Sequence, residues 1–230
     1  MLTTYTLERL MDLAQRRTTI LEHEAKDILR ETGFPVPRGK FIRKGETLPQ
    51  NLGLKYPLVA KVSSEKITSK SDLHGVKTGL QDDQELRLAF EELIRIENVE
   101  GVLVEEMAPQ GVEVIIGGVI DRQFGPVMMF GLGGIFTELF RDVSFGLAPL
   151  SKDDAYWMIS GIKGQKLLEG FRGNPPVDRE ALADILVRAS EVMATGYVEE
   201  IDLNPVSLYA DRAIVLDAKM KLRADVLQKQ

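Results

Sequence analysis

An α+β fold is predicted for this 230-residue chain by three features of its apolar patterning. Short β-branched runs stand in close pairs, and helical stripes of period 3.6 separate them. The two kinds of segment do not alternate in the strand–helix–strand rhythm of a doubly wound parallel sheet. Runs joined by only a few residues fold back as hairpins, so antiparallel pairing is expected.

Each element follows in order. Leu7, Leu10, Met11 and Leu13 fall at helical spacing, which predicts an N-terminal helix over about residues 4–16 with one buried face. A second helix covers Glu22 to Glu31; Gly33 is placed to end it, and Pro35 and Pro37 bar its continuation. Leu58–Ser63 reads as a strand, and a polar loop leads through Gly75 into a second, VKTGL. DDQELRLAFEELIRI is a helix capped by Asp82 or Asp83, with Leu86, Leu88, Phe90, Leu93 and Ile94 as its inward stripe. GVLVEEMA is again a strand, and GVEVIIGGVI and FGPVMMFGL form a hairpin around DRQ. IFTELFRD is left open between helix and strand. KDDAYWMISGI, capped by Ser151, and DREALADILVRASEVMATG, closed by Gly196, are helices. VEEIDLNPV and AIVLDAKMKL close the chain as two strands around SLYADR.

Composition narrows the function. Hydrophobic residues make up 44% and charged residues 28%, enough apolar material for a core that needs no disulfide or structural metal. Twenty-nine Lys and Arg against 35 Asp and Glu leave a net charge of -6. That balance argues against a nucleic-acid backbone as the main ligand, yet not against nucleotides, which need only a few placed cations. The absence of cysteine excludes disulfides, thiolate nucleophiles and Cys-based metal sites. With His23 and His74 as the only histidines, a Ser-His-Asp hydrolase or multi-His metal site has little to work with. The N-terminal segment lacks signal-peptide features, and no apolar stretch reaches the length of a membrane span. The expected address is cytoplasmic, with no membrane partner.

Several residues could carry chemistry. Lys61 interrupts an apolar strand, either as a solvated side chain or as a fixed ammonium for a phosphate. Glu105 and Glu106 end another strand before Met107, Ala108 and Pro109. That end is either simply solvated, or a connector whose unpaired backbone groups and an acidic side chain suit a purine edge. The turn FGLGG allows close backbone approach to an anion but matches neither the Walker A pattern nor a full GxGxxG. Glu138 and Asp142 share a face if their segment is helical, and otherwise form a solvated edge. IDLNP sets Asp202 and Asn204 on one strand face, and LDAK sets Asp217 and Lys219 on the next strand. In a hairpin, the Asn204 oxygen and the Asp217 carboxylate converge on one hard cation, for which Mg²⁺ is suited; an ordinary hairpin with one polar face is the alternative.

With Lys61, the EEM connector, FGLGG and the DLNP…LDAK ending in this order, the chain resembles an ATP-grasp domain. More closely, it is similar to the β subunits of ADP-forming acetyl-CoA (acyl-CoA) synthetases, relatives of succinyl-CoA synthetase β. The resemblance covers nearly the whole chain. It implies two lobes, about 20–105 and 106–230, clasping ATP or ADP with Mg²⁺ between them. Lys61 matches the phosphate-contacting lysine; Glu105, Glu106 and Met107 match the adenine-side connector; Glu113 matches a carboxylate near the ribose or phosphates. Asn204 and Asp217 match the magnesium ligands. Asp202 matches an acidic position facing the incoming phosphohistidine, an approach lined by Gly133, Gly134 and Glu138.

The resemblance further implies an acid–CoA ligase whose phosphate passes between ATP or ADP and a histidine of a separate, CoA-binding α subunit, in an α₂β₂ assembly. The family usually reads HKSDxGG after the lysine strand. Here the loop is SKSDLHG, so Ser69 holds the place of the usual relay histidine and His74 stands where a glycine is expected. His74 could take over the relay or be an exposed loop residue. Gly146 stands where Arg is frequent, and His23 reads as structural. A non-catalytic ATP- or ADP-sensing module and a succinate–CoA ligase-like β chain remain as alternatives.

Overall fold

The computed structural model describes residues 3–67, 70, 73–133, 141–171, 173 and 175–223. The chain divides into two compact units. One comprises Met1–Ile20, Ala25–Val36 and Gln110–Gln230, the other Leu21–Glu24 and Pro37–Pro109. The boundary therefore lies at 109/110, and residues 25–36, which the two-lobe expectation put in the first lobe, group with the larger unit.

In the smaller unit, β2 (Gly39–Arg43), β3 (Leu58–Ser63), β4 (Val76–Leu80) and β5 (Gly101–Glu106) form a four-stranded sheet in the order β2-β5-β3-β4. Every pairing is antiparallel, with Lys61 opposite Leu103 and Phe41 opposite Leu103 on its other side. One face is apolar: Leu58, Ala60, Val62, Val102 and Val104 pack with Leu86, Ala89, Phe90 and Leu93 of helix α3 (Asp83–Leu93). Asp82 caps that helix by accepting from the N–H groups of Gln84 and Glu85, both at 2.9 Å. Leu88, expected in the inward stripe, is 60% exposed. The buried positions follow i, i+3, i+4 and i+7 from Leu86, and Leu88 lies off that line.

The larger unit holds α1 (Thr4–Arg16), β1 (Thr19–Ile20), and β6 (Val112–Asp121) to β11 (Ala218–Leu222). Helix α2 (Glu22–Glu31) has its first residues in the smaller unit and the rest here. Gly33, at φ 84°, ends it as expected. Strands β7 (Gly125–Leu132), β8 (Val143–Leu147), β9 (Val198–Leu208) and β10 (Ala213–Val215) complete a seven-stranded antiparallel sheet in the order β1-β11-β9-β6-β7-β8, with β10 also on β9. The β6–β7 hairpin is as expected; Asp121 closes its turn by accepting from Gln123 and Phe124. The closing pair is a three-strand arrangement, because the partner of β9 breaks at Leu216 and Asp217. Strands β1, β2 and β8 were not foreseen. They are short or carry little apolar contrast, and neighbouring strands complete them.

Helices α4 (Lys152–Ser160) and α5 (Arg179–Ala194) cover one face of this sheet, packing Met158, Ile159, Leu182, Leu186 and Met193 with Ile116, Met128, Phe130 and Leu203. Ser151 caps α4 in a reciprocal box with Asp154, and Gly196 follows α5 at φ 76°. IFTELFRD lies outside the described residues except for Arg141 and Asp142. Asp142 is no solvated edge. Its two buried carboxylate oxygens accept from the N–H groups of Lys163 and Gly164, both at 2.7 Å, at the start of a 3₁₀ turn over Lys163–Leu167. Asp142→Ala is expected to cost about 1–3 kcal/mol by removing the charged acceptor of two backbone N–H groups, measured by urea unfolding.

Candidate functional site

The candidate side chains of the smaller unit's sheet lie on the face opposite α3. Period-2 alternation buries Ala60 and Val62 on α3 and turns Val59, Lys61 and Ser63 the other way. Lys61 is only 8% exposed, so its charge requires partners. Nζ lies 2.8 Å from Glu22 Oε1 and 2.9 Å from Glu105 Oε2. The second oxygen of Glu22 pairs with Lys70. Glu105 can lie across the sheet because Gly39 stands opposite it; a Cβ there would sit 2.7 Å from Glu105 Cγ. Ser63 Oγ, on the same face, is buried without a hydrogen-bond partner among the described residues. His23 stacks on Phe41 at 3.8 Å, an aromatic contact that accounts for it structurally.

The connector after β5 differs from the expectation of unpaired backbone. The Glu106 N–H donates to Arg38 O and the Met107 N–H to Pro57 O, each at 2.9 Å. The Glu106 carboxylate accepts from the Lys55 N–H at 3.0 Å and lies 3.4 Å from Arg38. One oxygen of each carboxylate therefore already faces a protein donor. Met107 is 40% exposed.

His74 is an exposed residue with φ 50°. Its place suits glycine, which adopts that backbone without a Cβ penalty. Gly75 behind it is confined, since a Cβ would meet Val62 Cγ2 at 2.5 Å, and its N–H donates to Lys70 O at 2.7 Å. Ser69 lies outside the described residues.

In the larger unit the polar pairs sit on the sheet face away from the helices. Asp202 stands opposite Lys219, and the Asn204 N–H donates to Asp217 O at 3.2 Å. Directly opposed residues of an antiparallel pair point to the same side, so Asp202 and Lys219 share a face, and the backbone bond sets Asn204 beside Asp217 in the break before β11. Asn204 is exposed and Asp217 partly so. Among the described residues no group of three or more His, Asp or Glu could hold a metal by itself. Two hard oxygen donors do fit Mg²⁺ that completes its shell with phosphate and water. Glu113 is exposed at the start of β6, its carbonyl accepting the Gly133 N–H at 2.9 Å. Gly134 and Glu138 lie outside the described residues.

Two residues escaped the sequence reading, Glu22 and Lys26. Lys26 is 2% exposed and donates to Leu216 O at 2.7 Å, directly before Asp217. The break that presents Asp217 is held further by Val215 N–H to Pro35 O and Leu216 N–H to Pro205 O. The only sequence signal is their spacing of four on a helix whose other inward positions are apolar. Gly146 also has a structural cause: a Cβ there would meet Met158 Sδ at 2.7 Å and Leu150 Cδ2 at 2.8 Å.

Residues 12–222 match the family model described as an ATP-grasp domain. The chain is 44% identical over 212 residues to the β subunit of acetate–CoA ligase [ADP-forming] I from Pyrococcus furiosus, covering 88% of this chain and 91% of that one. Among solved structures, acetyl-coenzyme A synthetase 1 of Ca. Korarchaeum cryptofilum with coenzyme A and Ca-AMPCP superposes with a TM-score of 0.89 at 43% identity, covering 95% of this chain and all of that one (100%). The same synthetase with coenzyme A and Mg-AMPPCP, its phosphohistidine segment pointing towards the nucleotide-binding site, gives a TM-score of 0.83 at 45% identity, with coverage of 95% and 100%.

His74→Gly is expected to stabilise the chain by about 0.5–1 kcal/mol by relieving the left-handed backbone, read from urea unfolding. Gly39→Ala should destabilise by about 1–3 kcal/mol, since the new methyl meets both Glu105 and the Val104 carbonyl.

Proposed function

This chain belongs to the ATP-grasp family, with the β subunits of ADP-forming acetate–CoA ligases as its relatives, and we propose that it is the nucleotide-handling subunit of such a ligase. The observation that carries the reading is Lys61, a nearly buried ammonium pre-positioned by Glu22 and Glu105 on an otherwise apolar strand. The overall reaction is acyl-CoA + ADP + phosphate ⇌ acid + CoA + ATP. This chain serves the half in which the phosphoryl group moves between an imidazole nitrogen of a partner's histidine and the terminal phosphate oxygen of ADP: one P–N bond breaks as one P–O bond forms.

Such transfer depends on positioning and charge neutralisation more than on covalent work by the protein. Lys61 holds the phosphates as a fixed point charge, and the Ser63 hydroxyl on the same face is placed to hydrogen-bond a polar ligand group. Asn204 Oδ1 and the Asp217 carboxylate hold Mg²⁺, which when bound offsets the phosphate charge. Lys26 keeps the Leu216–Asp217 break in place. Asp202 faces the approaching histidine, and Glu113, Gly133, Gly134 and Glu138 line the nucleotide and that approach. Glu105, Glu106 and Met107 serve the adenine side at the end of β5 and in the connector that follows it.

The histidine belongs to a CoA-binding α subunit, in an α₂β₂ assembly. Phe145 and Leu147, 56% and 57% exposed, with Val119 at 49%, make an apolar row on the open face of β6 to β8 that supports a protein partner. No helix among the described residues is long and apolar enough to cross a membrane, in keeping with a cytoplasmic site of action. A second reading, a nucleotide sensor without transfer, is favoured by Ser69 at the relay position and by the exposed, left-handed setting of His74.

The full chain with its CoA-binding partner should pass radiolabelled phosphate from ATP to a histidine of the partner. Nucleotide binding without labelling supports the sensor, and label on His74 assigns it the relay. Asn204→Ala and Asp217→Ala should each weaken Mg²⁺-dependent ADP binding by about ten-fold or more in titration calorimetry; unchanged binding in both removes the metal assignment.

A further inference from the structure

Glu22 opens helix α2, where the positive end of the helix dipole favours a carboxylate. Its side chain is 3% exposed, and its two oxygens serve different lysines: Oε1 takes Lys61 at 2.8 Å and Oε2 takes Lys70. The Lys70 carbonyl accepts the Gly75 N–H at 2.7 Å, and the Gly75 carbonyl accepts the Val62 N–H at 2.8 Å. Val62 is the neighbour of Lys61. A closed circuit therefore runs from the Lys61 ammonium through Glu22 to Lys70, on through Gly75 to Val62, and back along the strand.

We propose that Glu22 is a positioning residue for phosphoryl transfer: its one carboxylate sets the Lys61 ammonium and ties the chain at Lys70 to it. The inference rests on the phosphate-binding reading of Lys61. Glu105 alone can keep Lys61 charged, so removing the Glu22 charge leaves a phosphate-attracting ammonium. What it removes is the fixed direction of that ammonium and the link to Lys70. A group misplaced by an ångström costs rate far more than it costs binding.

The test uses the full chain with its CoA-binding partner, in Glu22→Gln and Glu22→Asp forms. In Glu22→Gln, phosphoryl transfer should fall about ten-fold or more while the dissociation constant for Mg-ADP moves less than about three-fold. In the nucleotide-free chain, amide hydrogen exchange at Gly75 should quicken about ten-fold, with Leu93 and Val104 unchanged. Glu22→Asp keeps the charge but is one methylene short, and should behave as Glu22→Gln. Wild-type exchange at Gly75 in either variant overturns the bridge. Faster exchange in step at Leu93 and Val104 overturns it equally, because Glu22 is then only a stabilising charge. A wild-type chain that transfers no phosphate refutes the ligase reading instead, and the Gly75 exchange still decides the role of Glu22.

Discussion

A lysine ammonium nearly closed off from water stays charged only where carboxylates meet it, and the smaller unit is arranged around that requirement at Lys61. Strand alternation turns the side chain away from the α3 core, Gly39 clears a path for Glu105, and Glu22 arrives from the first turn of a helix distant in sequence. Burying that ammonium costs free energy that Glu22 and Glu105 together offset, so the cluster is part of the fold as well as a candidate site. The same contacts that stabilise the sheet hold the Lys61 ammonium in one place on the face away from α3.

The larger unit solves a different problem with one sheet. Its helix-covered face is a continuous apolar core from Leu10 to Leu222, while the opposite face is free to carry polar pairs. The pair Asn204–Asp217 depends on the break between β10 and β11. A strand interruption leaves backbone groups needing partners, and here Pro35, Pro205, Asn204 and the buried Lys26 supply them. Asp217 is thus presented by a stretch of chain whose polar groups are satisfied outside the ordinary ladder.

Much of this was legible in the residues. The boundaries of α2, β3 and β4 follow from caps, glycines and β-branched runs, because those signals act within a few residues. Lys61, Asn204 and Asp217 stand out as polar interruptions of apolar strands. Leu88 misled because composition suggested an inward stripe that helix geometry does not close. Asp142 misled in the other direction: its acceptor role belongs to a 3₁₀ turn some twenty residues later, which no local pattern announces. The connector at Glu106 and Met107 was read as unpaired because its donors are satisfied by Arg38 and Pro57, remote in the chain.

By itself, then, the amino-acid order determined the antiparallel α+β class, the position of the main strands and helices, and the ordered motifs that mark an ATP-grasp chain. These depend on near-neighbour physics: dihedral preference, capping and period. Only the tertiary structure decided that Glu22 meets Lys61, that Lys26 holds the Leu216 carbonyl, that Glu105 faces a lysine, and that the space at Gly146 is filled by Met158. Each of those outcomes is a meeting of side chains far apart in sequence. Whether a charge is buried, and beside what, is set by packing and not by its neighbours along the chain.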